Sequence, residues 1–221
     1  MLITIDHLWE AAERENAAMG ADEYLQQSYA PKPSNDFKRL QERKYLGCFA
    51  KQYNQVGHTP AIVWACQHER GSGHADFSVY DENKRYLWDI EITALFTKPA
   101  KKNPQDYEDY TPYPMTPIPC HLPAQGVSLR DIDHPRAGFQ SYATLKRVIE
   151  MHLRDQYPRY WLVVYDNEHG VTHPNLTELH HRIREILQKK AIRGKLPANL
   201  VQVWAFDWPN YGKTTITRVW P

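Results

Sequence analysis

The sequence predicts an α/β fold in which helices cover both faces of a mixed sheet. The main observation is the order of elements: from the second helix onward, the pattern gives helix, three strands, helix, strand, helix and two strands. Two almost wholly apolar runs, residues 61–66 and 161–165, indicate buried strands. A turn signal at residues 81–84 lies between two further runs of strand character and predicts a hairpin.

The first two helices are predicted from apolar periodicity and from their caps. Residues 5–20 form a short amphipathic helix with Asp6 as a candidate N-cap and Gly20 at its end. After a polar link with two prolines, residues 34–53 form a longer helix with one apolar face. We therefore expect an N-terminal helical extension, residues 1–33, ahead of the main domain.

The rest of the chain, residues 34–221, is predicted to be a single domain with one insertion. Residues 97–137 contain eight prolines and no clear period. A patternless segment of that length is typical of a lid, a binding arm or an interface. The remaining predicted elements are helices at residues 139–157 and 175–193 and strands at residues 201–206 and 214–219.

The composition limits the class of protein. A chain of 221 residues, 42% of them hydrophobic, is long enough to bury a real core. The net charge of +1 gives no overall support for nucleic-acid binding, so a local basic patch would be required. Three widely spaced cysteines argue against a disulfide scaffold or a cysteine-rich zinc site. No signal peptide or membrane span is apparent, and we expect a cytoplasmic protein without membrane association.

The segment at residues 73–96 is the most informative, because its hairpin brings three carboxylates to one place: Asp76, Asp89 and Glu91. Side chains alternate across a strand, so Asp89, Glu91 and Thr93 share one face. An unpaired charge buried in a strand is costly, and a divalent cation is the simplest compensation. The alternative is a solvated strand face that is balanced by neighbouring cations.

These residues resemble the motif of the PD-(D/E)XK nuclease superfamily, which has the restriction-endonuclease-like fold. The motif would consist of AD at residues 75–76 and then, thirteen to fifteen residues on, either DIE at 89–91 or EIT at 91–93. The resemblance covers roughly residues 36–165 and includes the order of elements around the hairpin. It implies a mixed central sheet flanked by helices.

The chain departs from the superfamily motif at two positions. Alanine stands at position 75 in place of proline, and Thr93 or Glu91 stands in place of the lysine. Lys146, in the helix after the hairpin, is the candidate substitute for that lysine. Glu42, in the helix before the hairpin, is the candidate for a further catalytic acid, with an ordinary helix-surface glutamate as the alternative.

The resemblance implies an endonuclease that depends on Mg²⁺ or Mn²⁺ and acts on DNA or RNA. Carboxylates hold the metal, which activates water and neutralises charge on the phosphate oxygens. Asp76 would bridge the metals, Glu91 would be the second ligand and Asp89 would lie beside it. A lysine, here Lys146, would orient the water or stabilise the charge of the transition state.

The same residues leave other functions open. Without the lysine, the domain could be an inactive relative that binds nucleic acid or a partner protein. A paired-carboxylate hydrolase that acts on sugars is a third possibility. His68 and His74 flank a turn near Asp76 and form a candidate catalytic pair, whereas the adjacent His180 and His181 indicate surface or packing positions.

Basic residues cluster on two predicted helices: Lys38, Arg39, Arg43 and Lys44 on one, and Arg182, Arg184, Lys189, Lys190, Arg193 and Lys195 near the end of the other. Such charges near a helix C-terminus need no ligand, but a local stripe could also contact phosphates. The tyrosines of the insertion could stack on unpaired bases or form the arm of a homodimer: Tyr107, Tyr110 and Tyr113.

Overall fold

The computed structural model describes residues 1–20, 34–69, 72–95, 142–166, 176–207 and 216–221, together with Glu23 and Gln27. Over these residues the helices are α1 (Ile5–Met19), α2 (Asn35–Gln55), α3 (Tyr142–Met151) and α4 (Leu176–Ile192). The strands are β1 (Ile3–Thr4), β2 (Trp64–Gln67), β3 (Phe77–Tyr80), β4 (Tyr86–Leu95), β5 (Tyr160–Asp166), β6 (Leu200–Asp207) and β7 (Ile216–Trp220). The predicted insertion, residues 97–137, lies outside the described residues.

The seven strands form one mixed sheet whose order follows the chain. The strands β1 to β4 run antiparallel, β5 and β6 run parallel to β4, and β7 returns antiparallel to β6. The predicted hairpin is β3 and β4, and its turn is held by Asp81, whose Oδ1 accepts the backbone N–H groups of Asn83 and Arg85. The predicted α/β class with a mixed sheet is therefore confirmed.

Helices cover both faces of the sheet, as the element order predicts. Residues of α1 and α2 pack on one face, here called the α2 face, where they bury Ile90, Ile92 and Trp161. Residues of α3 and α4 pack on the other, the α3 face, where they bury Leu162 and Val164. The central strands β5 and β6 contribute alternate residues to the two cores. The acids of β4 alternate with Ile90 and Ile92 and therefore lie on the α3 face.

The N-terminal residues are part of the core on the α2 face. β1 pairs with β2, and Ile5 and Leu8 are buried with the residues of the α2 face. Among the described residues, three ion pairs join α1 to α2: Arg43 with Glu15, Lys44 with Glu13, and Lys51 with Asp6. Over its described part, the predicted N-terminal extension thus contributes a strand and a helix to the domain.

Helix starts follow the capping chemistry, with one correction. The predicted start of α2 is confirmed, because the Oγ of Ser34 accepts the backbone N–H of Phe37 at 3.1 Å. The predicted N-cap of α1, Asp6, is wrong: Thr4 is the N-cap, and its Oγ1 accepts from the N–H of His7 at 3.3 Å. Gly20 ends α1 with φ of 77°, as predicted.

The predicted helix at residues 139–157 is too long at its C-terminal end. Over the described residues, α3 ends at Met151, and residues 152–159 form an irregular segment, here called the 152–159 connection. Asn199 holds this connection, because its Nδ2 donates to the backbone oxygens of Arg154, Asp155 and Tyr157. Leu153 and Tyr157 continue the apolar period, but they pack on the α3 face from outside a helix.

Among the helices of the described ranges, none combines the length and the apolar character that crossing a membrane requires. No disulfide joins the two cysteines in these ranges, Cys48 and Cys66.

Candidate functional site

Asp76 and Glu91 lie opposite one another where the β3–β4 ladder ends. Phe77 pairs with Ile90 in the antiparallel register, and continuing that register by one residue brings Asp76 opposite Glu91 on the α3 face. The Oδ2 of Asp76 accepts the backbone N–H of Ile92 at 2.8 Å. The carboxylate therefore satisfies a strand N–H just beyond the last paired residue of β3, which fixes its position against β4.

Glu91 is 6% exposed, and its side chain contacts the 152–159 connection. The Nδ1 of His152 lies 2.8 Å from Glu91 Oε1. Burial raises the pKa of the Tyr157 phenol to about 12, and the nearby Glu91 and Asp76 carboxylates contribute to that rise. The phenol therefore stays protonated at neutral pH beside the two carboxylates. We call Asp76, Glu91, His152 and Tyr157 the acidic cluster.

Asp89, the third predicted metal ligand, has a separate set of partners. It is 1% exposed, and its Oδ1 accepts from the Ser78 hydroxyl at 2.6 Å and the Tyr86 hydroxyl at 3.2 Å. The Nε2 of His68 lies 2.8 Å from the Ser78 Oγ. Asp89 and Glu91 share a strand face, as predicted. The side chain of Asp89 nevertheless bonds to Ser78 of β3 and to Tyr86 at the start of β4, whereas that of Glu91 contacts the 152–159 connection.

The other predicted site residues differ in their relation to the acidic cluster. Thr93 is buried on the same face of β4, two residues beyond Glu91. The Nζ of Lys146 is 3.9 Å from Glu150 Oε1 on its own helix, and its side chain is 46% exposed. Glu42 lies on α2, which covers the opposite face of the sheet, and its Oε2 accepts from Gln67 Nε2 at 3.4 Å. Glu42 is buried, so the alternative of a helix-surface glutamate is wrong.

The predicted histidine pair is close in space. The rings of His68 and His74 stack with centroids 4.9 Å apart. Burial lowers the pKa of His68, while the Asp89 carboxylate opposes that shift. Burial also lowers the pKa of His180, which is half-buried on α4 next to the exposed His181. These positions agree with the predicted surface or packing roles of the adjacent histidines.

Part of each basic cluster is engaged in ion pairs within the chain. On α2, the pairs of Arg43 and Lys44 with residues of α1 fasten the two helices together. On α4, Lys190 reaches Glu150 of α3 at 2.7 Å, and Lys189 pairs with Glu185. These contacts account for four of the predicted basic residues without any ligand.

The sequence reasoning missed His152 and Tyr157 as site residues. Both fall within the predicted helix at residues 139–157, where their spacing indicates only packing. Their contact with Glu91 arises from the parallel pairing of β4 and β5, which brings the 152–159 connection over β4. A local sequence pattern carries no signal for such a contact.

Within the described ranges, no three His, Cys, Asp or Glu side chains are grouped closely enough to hold a metal ion together. Comparison with protein-family models, with curated proteins and with solved structures gave no match.

Changing Tyr160 to phenylalanine is expected to lower the free energy of unfolding by about 1–3 kcal/mol, because two part-buried backbone groups lose their partner. The Tyr160 oxygen accepts the backbone N–H of Arg154 at 2.9 Å, and its hydroxyl donates to the His152 carbonyl at 3.3 Å. Urea denaturation of both proteins at pH 8 measures the difference.

The same phenol makes the free energy of unfolding of the wild type fall as the pH rises through the alkaline range. Burial raises the pKa of Tyr160 from 10.0 to about 12. An unfolded chain ionises first, so this contribution is complete below pH ~10 and is lost as the pH rises through ~12. Between pH 9 and pH 11, about the range where the phenol of the unfolded chain ionises, the free energy of unfolding should fall less in the Tyr160→Phe protein than in the wild type. An identical loss in both proteins would contradict the assignment.

Proposed function

We propose that this chain is a metal-dependent nuclease that hydrolyses phosphodiester bonds in DNA or RNA. The observation that carries the proposal is the position of Asp76 and Glu91, opposite one another on neighbouring strands and fixed by hydrogen bonds. They occupy the two acidic positions of the motif that the sequence resembles, with EIT at residues 91–93 as its second part.

The order and pairing of the elements support a restriction-endonuclease-like fold. The helix α2 precedes three antiparallel strands, β2 to β4, and α3 then leads to a strand that pairs in parallel with β4. This is the order of helix, three strands, helix and strand on which the resemblance rests.

The donor set of the acidic cluster fits a magnesium-type ion. Mg²⁺ keeps several waters and commonly takes only one or two protein carboxylates, with substrate phosphates as further ligands. Asp76 and Glu91 would hold the ion, and the ion would activate a water and neutralise charge on the phosphate oxygens. Asp89 would support the hairpin instead, since Ser78 and Tyr86 occupy its Oδ1.

The neighbouring side chains would position these acids and the substrate. His152 orients Glu91 through the bond to Oε1, and the protonated Tyr157 lies close to both acids. The charge of Arg154 acts on Tyr157, so this exposed guanidinium lies near the acidic cluster. Arg154 rather than Lys146 would therefore stabilise negative charge on the phosphate, as the lysine does in the motif.

Incubation of the purified protein with plasmid DNA and with single-stranded RNA tests the proposal. Strand cleavage is expected with Mg²⁺ or Mn²⁺ and not with EDTA, because the carboxylates alone provide no activated water. Gel electrophoresis of the products measures cleavage. Equal cleavage in EDTA, or no cleavage of either substrate with both ions, would overturn the proposal.

A second candidate is an inactive domain of the same fold that binds nucleic acid or a partner protein. Thr93 at the lysine position favours it, and so does the existing bond between Glu91 and His152. Calorimetric titration with Mn²⁺ separates the two functions. An active enzyme is expected to bind the ion at millimolar concentration or below, whereas an inactive domain without a metal site releases no binding heat.

A further inference from the structure

A cavity of about 300 Å³ lies at the start of the parallel strands, beneath the C-terminal end of α2. Its walls come from the first residues of β4, β5 and β6, from β7 and from the segment that follows α2. None of its lining residues belongs to the acidic cluster. Its aromatic lining residues are Tyr53, His58, Trp88, Trp161 and Trp204.

The aromatic residues form a continuous wall. The rings of Trp88 and Trp161 stack with centroids 3.9 Å apart, and Trp204 follows at 5.6 Å from Trp161. The exposed ring of His58 lies 5.2 Å from Trp204 and stacks on Tyr53 at 4.8 Å. Tyr53, Trp161 and Trp204 are buried behind this wall, whereas His58 is exposed and Trp88 is half-buried. The rings of His58 and Trp88 therefore favour a planar ring as the ligand, because every flat π-system can stack on an accessible aromatic face.

Two arginines at the cavity give it a positive charge. Arg159 and Arg218 are exposed, and neither forms an ion pair within the described part of the chain. Burial raises the pKa of Tyr53 and the charge of Arg218 opposes that rise, which indicates that the guanidinium lies close to the aromatic wall. Two unpaired guanidinium groups favour an anion, and they suit phosphate in particular.

We propose that this cavity binds a nucleotide, with the base against the aromatic wall and the phosphate at Arg159 and Arg218. A nucleotide combines a planar ring and an anion in one molecule. The volume is near the lower end of small-ligand pockets, which span about 300–1,000 Å³, so a single nucleotide is the appropriate size. The nucleotide can be a free mononucleotide or one unpaired residue of a single strand.

The nucleotide site is independent of the proposed hydrolysis. It lies on the α2 face, whereas the acidic cluster lies on the α3 face. Binding can therefore be measured in EDTA, where a metal-dependent reaction does not proceed, and a negative result in the cleavage assay leaves this measurement unaffected.

Isothermal titration calorimetry of the full chain in EDTA tests the proposal. The probes are the four ribonucleoside 5′-monophosphates, adenosine, ribose 5-phosphate and a thymidine decanucleotide. At least one monophosphate or the oligonucleotide is expected to bind more tightly than about 1 mM, and adenosine and ribose 5-phosphate at least about tenfold more weakly. Tighter binding of the oligonucleotide identifies a single strand as the ligand, and tighter binding of a monophosphate identifies the free nucleotide. Absence of binding by both classes overturns the proposal.

A double variant tests the assigned phosphate contacts. Arg159→Gln combined with Arg218→Gln is expected to weaken nucleotide binding by at least about tenfold, because two charge-assisted contacts are lost. Both side chains are exposed, so circular dichroism should show an unchanged fold. Arg193→Gln, at an exposed arginine that does not line the cavity, is the matched control and should bind as the wild type does. Unchanged affinity in the double variant would overturn the assignment.

Discussion

Nucleic-acid cleavage by an Asp76→Asn protein is expected to fall by about 100-fold or more relative to the wild type. The substitution keeps the size of the side chain and an oxygen that can accept the Ile92 N–H, but it removes the negative charge opposite Glu91. Loss of one preorganised electrostatic partner in an active site typically costs about 10²–10³ in rate. Initial cleavage rates at saturating Mg²⁺ measure the effect.

Asp6→Asn is the matched control for this variant. Asp6 is an exposed acid on α1 that pairs loosely with Lys51 at 3.5 Å, so its neutralisation changes the net charge by the same amount without touching the acidic cluster. The control should retain wild-type cleavage, and both variants should unfold at the wild-type temperature within a few degrees. Full activity in the Asp76→Asn protein would exclude the metal-ligand role.

Shortening Phe49 to alanine is expected to lower the free energy of unfolding by about 3–5 kcal/mol, the range for an aromatic side chain deleted from a packed core. Phe49 is fully buried on α2. Its ring meets Trp204 edge-on at 5.8 Å and Phe206 at 6.3 Å, and it contacts Tyr53 one turn later at 6.0 Å. The side chain thus joins the helix to two residues of β6, and its loss leaves a cavity that rigid rings cannot close.

Urea denaturation with an unchanged m-value measures this loss. Phe49→Leu should cost less, since it retains most of the buried apolar volume. Val56→Ala, at a 58% exposed position just after the same helix, should change stability by no more than about 0.5 kcal/mol. A loss below about 1 kcal/mol for Phe49→Ala would show that α2 does not depend on this contact.

Most of the fold could be predicted because its signals are local. The Ser34 cap and the Asp81 turn make hydrogen bonds within a few residues, so their sequence pattern determines their structure. β1 could not be predicted, since two residues carry no period and their pairing with β2 is a long-range contact. The predicted end of α3 is wrong for a related reason. Tyr157 keeps the helical spacing, but its backbone carbonyl accepts a hydrogen bond from Asn199, which lies far along the chain.

Of the candidate site, the sequence could predict only which acids share a strand face, because that follows from strand alternation. Alternation puts Asp89 and Glu91 on one face, and the register confirms it. Alternation does not predict that Ser78 bonds to Asp89 and that His152 contacts Glu91, because those partners depend on which strands are neighbours in the sheet. Carboxylates two residues apart therefore acquire different surroundings within one strand.

β4 stands between neighbours that lie at very different distances along the chain. β3 is one tight turn away, whereas β5 begins at Tyr160, long after β4 ends at Leu95. Closing so long a connection costs entropy, so β2, β3 and β4 can form a local meander before β5 docks. During that interval β4 is an open edge, and apolar open edges invite pairing between chains. Asp89 and Glu91 put two negative charges on this edge, and we expect their repulsion to discourage aggregation while the chain folds.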